Sequence, residues 1–115
     1  MNDNLVPRFD CGEISSEEFL QEFKKRLKLQ VTDEKAAFLW SSAMIYSREM
    51  EDLVDYLKRK GYLLWIISNT NYLHIQHLEH FYGRLLSKFH GKTYSCERGV
   101  NCLKPHPYIF CYTLV

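Results

Sequence analysis

The apolar positions of this chain follow a helical period through its first sixty residues and then change. Ser15 and Glu18 are spaced as a capping box, and Ile14 and Phe19 occupy the two positions of a hydrophobic staple, so a helix is predicted to start here. Its residues Phe19, Leu20, Phe23 and Leu27 share one face, with Glu22, Lys24, Lys25 and Arg26 mostly off it. A second helix is predicted after Thr32, where Asp33 and Glu34 favour the positive end of the helix dipole. It would turn Ala36, Leu39, Trp40 and Ala43 inward. A third opens at Ser47, repeats Met50, Leu53, Val54 and Leu57, and stops at Gly61 behind the cationic Lys58, Arg59 and Lys60.

From Gly61 onward the pattern becomes strand, helix, strand. The apolar run YLLWII at 62–67 closes on Ser68 and Asn69. It reads as a parallel strand buried on both faces, delivering small hydrogen-bonding groups to its carboxyl end, where open α/β sheets bind ligands. Residues 72–82 read as a helix broken by Gly83, 84–89 as a short continuation, and 92–96 as a shorter strand before a polar loop. Pro107 suits the first turn of a last helix. A strand buried on both faces needs a neighbour on each side, and only one other convincing strand follows it. One edge of 62–67 is therefore expected to lack its partner within this chain. The expected fold class is α/β: a helical cap segment with an N-terminal tail at 1–60, and a partial Rossmann-like parallel-sheet core at 61–115.

Length and charge narrow the function classes. The 115 residues suit one domain, which on folding would bury roughly two thirds of its unfolded surface. At 46% hydrophobic and 25% charged the composition is globular. Fifteen Lys and Arg against fourteen Asp and Glu leave a net charge of +1, so no field that would recruit nucleic acid or anionic lipid is implied. The first residues lack the basic-then-apolar layout of a secretory signal, and no apolar run is long enough to cross a bilayer, so a cytoplasmic location is expected. Cys11, Cys96, Cys102 and Cys111 contain no CxxC pair and are expected as free, buried thiols.

Candidate chemistry is sparse in the first half. Asp10 is the one early aspartate in a tempting setting, but Pro7 and Arg8 stand where a buried strand should be and Gly12 stands where a second carboxylate would fall, which argues against a nucleophile. Asp52 and Asp55 read as solvated helix-face charges, and Glu97 as a local cap or hydrogen-bond partner near Lys104. His74, His77 and His80 recur every three residues and sweep about a third of a helix circumference, which strains ligation of one ion by all three. His74 is expected at a boundary and His80 in solvent. The aromatics Phe9, Phe19, Phe23, Phe38, Trp40, Tyr56 and Trp65 read as core.

Gly12 to Phe19 (GEISSEEF), Ser68-Asn69-Thr70-Asn71, Ser95, Glu97, Gly99, Lys104-Pro105 and Ile109-Phe110 occur in an order and spacing that resembles the haloacid dehalogenase-like (HAD) hydrolase superfamily, in its branch with an α-helical cap. The resemblance covers about residues 12–115. It implies Mg²⁺-dependent hydrolysis of a small phosphorylated metabolite through an aspartyl-phosphate. It also implies Ser68 as phosphate hydrogen-bond donor, Asn69 as a substrate contact, and Lys104 as the catalytic charge stabiliser. The family's nucleophilic aspartate motif and its later metal-binding acidic pair have no match, so no metal ligand is assigned and the chain is expected to be a fragment without turnover. The loop from Gly99 to Lys104 is longer than the family's usual one, so its additional residues would either bulge outward or misplace the ammonium. The alternative is a non-catalytic binding or interaction module that uses the residual cleft or the unpaired strand edge, with self-association through that edge left open.

Overall fold

The computed structural model describes residues 4–114. Four helices come first: α1 (Leu5–Asp10), α2 (Ser16–Leu27), α3 (Asp33–Ser41) and α4 (Arg48–Arg59). They are followed by β1 (Trp65–Ser68), α5 (Tyr72–Leu86), β2 (Gly91–Tyr94) and α6 (Pro107–Leu114). The two strands pair in parallel, Trp65 opposite Gly91 and Ser68 opposite Tyr94, with α5 as the crossover. The molecule is thus a helix-rich, partial α/β core with a helical segment ahead of it.

Helix starts fall where local chemistry puts them. The Ser15 hydroxyl accepts the Glu18 N–H at 3.1 Å while the Glu18 carboxylate accepts the Ser15 N–H at 3.5 Å, closing the capping box. Thr32 caps α3 through the Lys35 N–H, and Ser47 caps α4 through the Met50 N–H. The main core joins Leu5 and Phe9 of α1, Phe19, Leu20 and Phe23 of α2, Ala36 of α3 and Leu73 of α5. Phe9 stacks on Phe19 at 4.4 Å between centroids, and Trp40 tilts against Phe19 at 4.8 Å. Much of α1 falls where the sequence reads as a tail; Leu5 and Phe9, one helical turn apart, are what dock it.

Several inward faces prove to be outward ones. Leu27 and Leu39 are exposed, and Ala43 is exposed and lies beyond the end of α3. On α4, Met50 is 58% and Leu53 45% exposed, because an ion cluster rather than its apolar stripe attaches this helix. Glu51, buried, pairs with Arg84 at 2.9 Å and Lys88 at 2.7 Å, accepts from the Tyr46 hydroxyl, and shares Lys88 with Asp55. Hydrogen bonds from Lys88, Tyr46 and Arg84 hold the Glu51 carboxyl down at about 2. Phe38, Tyr56 and Trp65 are likewise exposed rather than core.

The first strand begins later than its apolar run. Tyr62 and Leu63 are 61% and 81% exposed, since the pairing with β2 starts only at Trp65. Just ahead of it, the Leu64 N–H donates to His90 Nδ1 at 2.9 Å and the His90 N–H to the Leu64 carbonyl at 2.7 Å. The Trp65 indole lies over Gly91, where a Cβ would fall within the ring, and donates Nε1–H to the Thr93 hydroxyl at 2.9 Å. Among the described residues β1 has one strand neighbour, so its other edge is unpaired. The predicted break in the following helix appears as a single non-helical residue, Tyr82, inside α5.

Candidate functional site

Ser68 ends β1 half-buried, with its carbonyl accepting the Ser95 N–H at 3.0 Å and no described partner for its hydroxyl. Asn69 leaves the sheet and is exposed. Its Oδ1 accepts the Lys104 N–H at 2.7 Å, and its Nδ2 donates to the Lys104 carbonyl at 3.4 Å. The structure therefore brings Ser68, Asn69 and the main chain of Lys104 to the carboxyl end of β1. Lys104 itself sits in an exposed turn beyond β2.

The long loop before Lys104 is folded in rather than bulged out. Val100 is buried at 4% exposure, and Asn101, at φ 48, donates through Nδ2 to the Cys11 carbonyl at 2.9 Å. Asn101 Oδ1 accepts the Gly99 N–H at 3.1 Å, and the Tyr108 hydroxyl donates to the Gly99 carbonyl at 2.8 Å. Gly12 makes this closure possible: its φ is +78, and a Cβ there would approach the Cys96 carbonyl oxygen at 2.7 Å. Glu97 serves the turn with its main-chain carbonyl, which accepts from Val100 and Asn101.

Behind the strand end is a buried polar junction that sequence reasoning missed. The Ser95 hydroxyl, fully buried, accepts the Thr70 N–H at 2.9 Å and lies 2.6 Å from the Asp10 carbonyl, to which it donates. Asn71 caps α5 by accepting the His74 N–H at 3.0 Å and donates to Asp10 Oδ1 at 2.9 Å. Asn71's place just before a predicted helix was a readable cap signal; its reach to Asp10 was not.

Burial is the largest influence on the titratable groups at this junction. Burial pushes the Asp10 carboxyl up, against the downward pull of the Asn71 hydrogen bond and of His74. His74 is pushed down by burial and stacks on Trp40 at 4.9 Å between centroids. Burial raises the Cys11 thiol and takes that of Cys96 up to about 11, so neither supplies a thiolate near neutrality. Among the described residues no three His, Cys, Asp or Glu side chains gather as a metal site, and all four cysteines are free, with Cys96 buried and Cys111 exposed. His77 packs against Phe81 and His80 is exposed. No set of described side chains is assigned to the Mg²⁺ implied by resemblance. A separate groove of about 610 Å³ is lined by Trp65, Lys92, Thr93, Glu97, Tyr108 and Tyr112; Ser68, Asn69 and Lys104 lie outside it.

The chain matches no protein-family model and no curated protein by sequence. Its structure is similar to solved structures of a HAD family enzyme from Bacteroides thetaiotaomicron. One superposes with a TM-score of 0.82 at 23% identity, covering 97% of this chain. The wild-type complex with magnesium and inorganic phosphate gives 0.81 at 24% and 98%. A mutant with one aspartate replaced by alanine, also with magnesium and phosphate, gives 0.80 at 22% and 96%. The chain spans between 57% and 59% of the length of these solved chains. At this identity the likeness shows the fold. Among the described residues no helix is long and apolar enough to cross a membrane.

Proposed function

Taking the HAD fold of this chain as the premise, we infer that it carries the phosphate-recognising half of a HAD-like hydrolase site, for a small phosphorylated metabolite. The observation that supports this most is the meeting at one strand end of the Ser68 hydroxyl, which has no described partner, with the Asn69-bound Lys104 segment. A hydroxyl there donates to a phosphoryl oxygen, and an ammonium neutralises its charge. The solved enzymes of this fold bind magnesium and inorganic phosphate, which favours the same ligand class.

The aspartyl-phosphate chemistry implied by resemblance needs a nucleophilic carboxylate and a metal-holding acidic pair. Asp10 fits neither role, because its carboxyl is tied to Asn71 and its main-chain carbonyl to the Ser95 hydroxyl in the buried junction. The chain alone therefore binds phosphate without turning substrate over. A reducing, cytoplasmic setting accords with four free thiols. A titration of the chain with inorganic phosphate followed by amide NMR tests the reading: shifts centred on residues 68–69 and 104 are expected, weakened in Ser68→Ala and in Lys104→Ala. An aryl phosphate with Mg²⁺ should give background turnover only. Uniform or absent shifts overturn the phosphate reading, and turnover abolished by both variants overturns the inactivity.

The second reading, a non-catalytic interaction module, is favoured by one observation, the unpaired edge of β1.

A further inference from the structure

The side-chain amide of Asn69 holds both main-chain groups of one residue, accepting the Lys104 N–H at 2.7 Å and donating to the Lys104 carbonyl at 3.4 Å. An amide oriented this way imitates a strand neighbour and fixes where the Lys104 Cα stands. We infer that Asn69 is a positioning residue that acts through Lys104, holding the lysine's origin a fixed distance from the Ser68 hydroxyl, rather than a direct contact to the phosphate. This rests on the phosphate reading of Ser68 and Lys104 and deepens it.

The remaining ties of this loop leave that task to Asn69. Asn101 joins the loop to Cys11, Tyr108 joins it to Gly99, and the Leu103 carbonyl accepts the His106 N–H at 2.9 Å. None of these reaches β1. Because Ser68 and Asn69 are consecutive, the bond to Lys104 turns one step of backbone into the spacer between Ser68 and the Lys104 main chain. A lysine side chain is long and flexible, so fixing its Cα removes much of the search its ammonium would otherwise make. The oxygen and nitrogen of the amide are each already engaged, which leaves a direct phosphate contact only the residual N–H.

A double-mutant cycle on the intact chain separates the roles, with inorganic phosphate as the probe. Asn69→Ala is expected to weaken phosphate binding about three- to tenfold, the range of one lost net hydrogen bond. In a Lys104→Ala background, which keeps the bonded main chain, the same change is expected to have no further effect. A full additional loss in that background identifies a direct contact and overturns the inference. Phosphate affinity unchanged by Asn69→Ala overturns it as well, as that is a purely structural tie. Amide exchange at Lys104 gives an independent readout: it should accelerate in Asn69→Ala, and equal rates in both proteins overturn the clamp while leaving the phosphate reading standing. No phosphate binding by the unaltered chain, with faster Lys104 exchange in the variant, overturns the phosphate reading and leaves the clamp without a ligand to serve.

Discussion

At the residue scale, close contacts decide what each position tolerates. Gly91 faces the Trp65 indole so closely that an added methyl must displace the ring and break its hydrogen bond to Thr93. Strand alanine is favoured over glycine by roughly 0.5–1 kcal/mol, while overpacking costs roughly 1–3 kcal/mol. Because Trp65 is half exposed it can swing out, so the clash is relieved at the low end of that range. Gly91→Ala should destabilise by about 1 kcal/mol, read as a lower urea midpoint, with red-shifted tryptophan emission. An unchanged midpoint and spectrum would show that the ring does not rest there. Nothing in the local sequence singles out Gly91, since its partner lies on the other strand. Ser95 and Asn101 were hidden for the same reason: each bonds to the Asp10–Cys11 segment across most of the chain.

His74 carries a second expectation at this scale. Its folded-state pKa is lowered below the ordinary 6.5 by burial, offset in part by its hydrogen bond to the Trp40 main chain and by Asp10, while His77 adds to the depression. A lowered pKa means that the unfolded chain takes up the proton first. Stability from this group is therefore full above about pH 6.5 and is lost as pH falls through the lower folded value. Asp10 titrates with the opposite sign, its raised pKa favouring the folded state as its proton is bound. His74→Gln, which keeps a donor and removes the titration, should flatten the decline of Tm just below pH 6.5. A slope identical to that of the unaltered chain would exclude His74 as its source.

At the element scale, helix starts were legible and helix faces were not. Ser15, Thr32 and Ser47 each satisfy a backbone N–H three residues on, a local bond that sequence spacing encodes directly. Which face is buried depends on what lies opposite, and the stripe of α4 meets little. Its attachment runs instead through Glu51 with Arg84 of α5 and Lys88 just beyond that helix. The folded-state carboxyl, lowered from 4.5 to about 2, contributes stability that is present above pH 4.5 and is lost as pH falls toward 2. Glu51→Gln should therefore loosen α4 at neutral pH, raising its amide exchange ahead of that of α2. Equal protection of α4 in both proteins would show that its apolar contacts suffice. The strand end was legible through the apolar run closing on Ser68 and Asn69. Lys104 came from resemblance alone, because no local pattern ties a turn lysine to a strand far behind it.

At the scale of the whole molecule, the surface is too large for the chain. The radius of gyration is 15.7 Å, against roughly 13 Å for a compact domain of this length. The accessible surface is 7934 Å², against about 6,600 Å² for a folded monomer of this mass. The difference exceeds the roughly 800 Å² that each partner buries in a standard interface. It coincides with exposed Ile45, Met50, Leu53, Tyr62 and Leu63, and with the unpaired edge of β1. Apolar surface beside unmet backbone donors and acceptors favours pairing with another strand. The purified chain is accordingly expected to self-associate with rising concentration in light scattering. Leu63→Lys, at an 81% exposed position where β1 is approached, should shift it toward monomer without lowering Tm. A monomer at every concentration, with a sharp thermal transition, would show that this edge is tolerated bare.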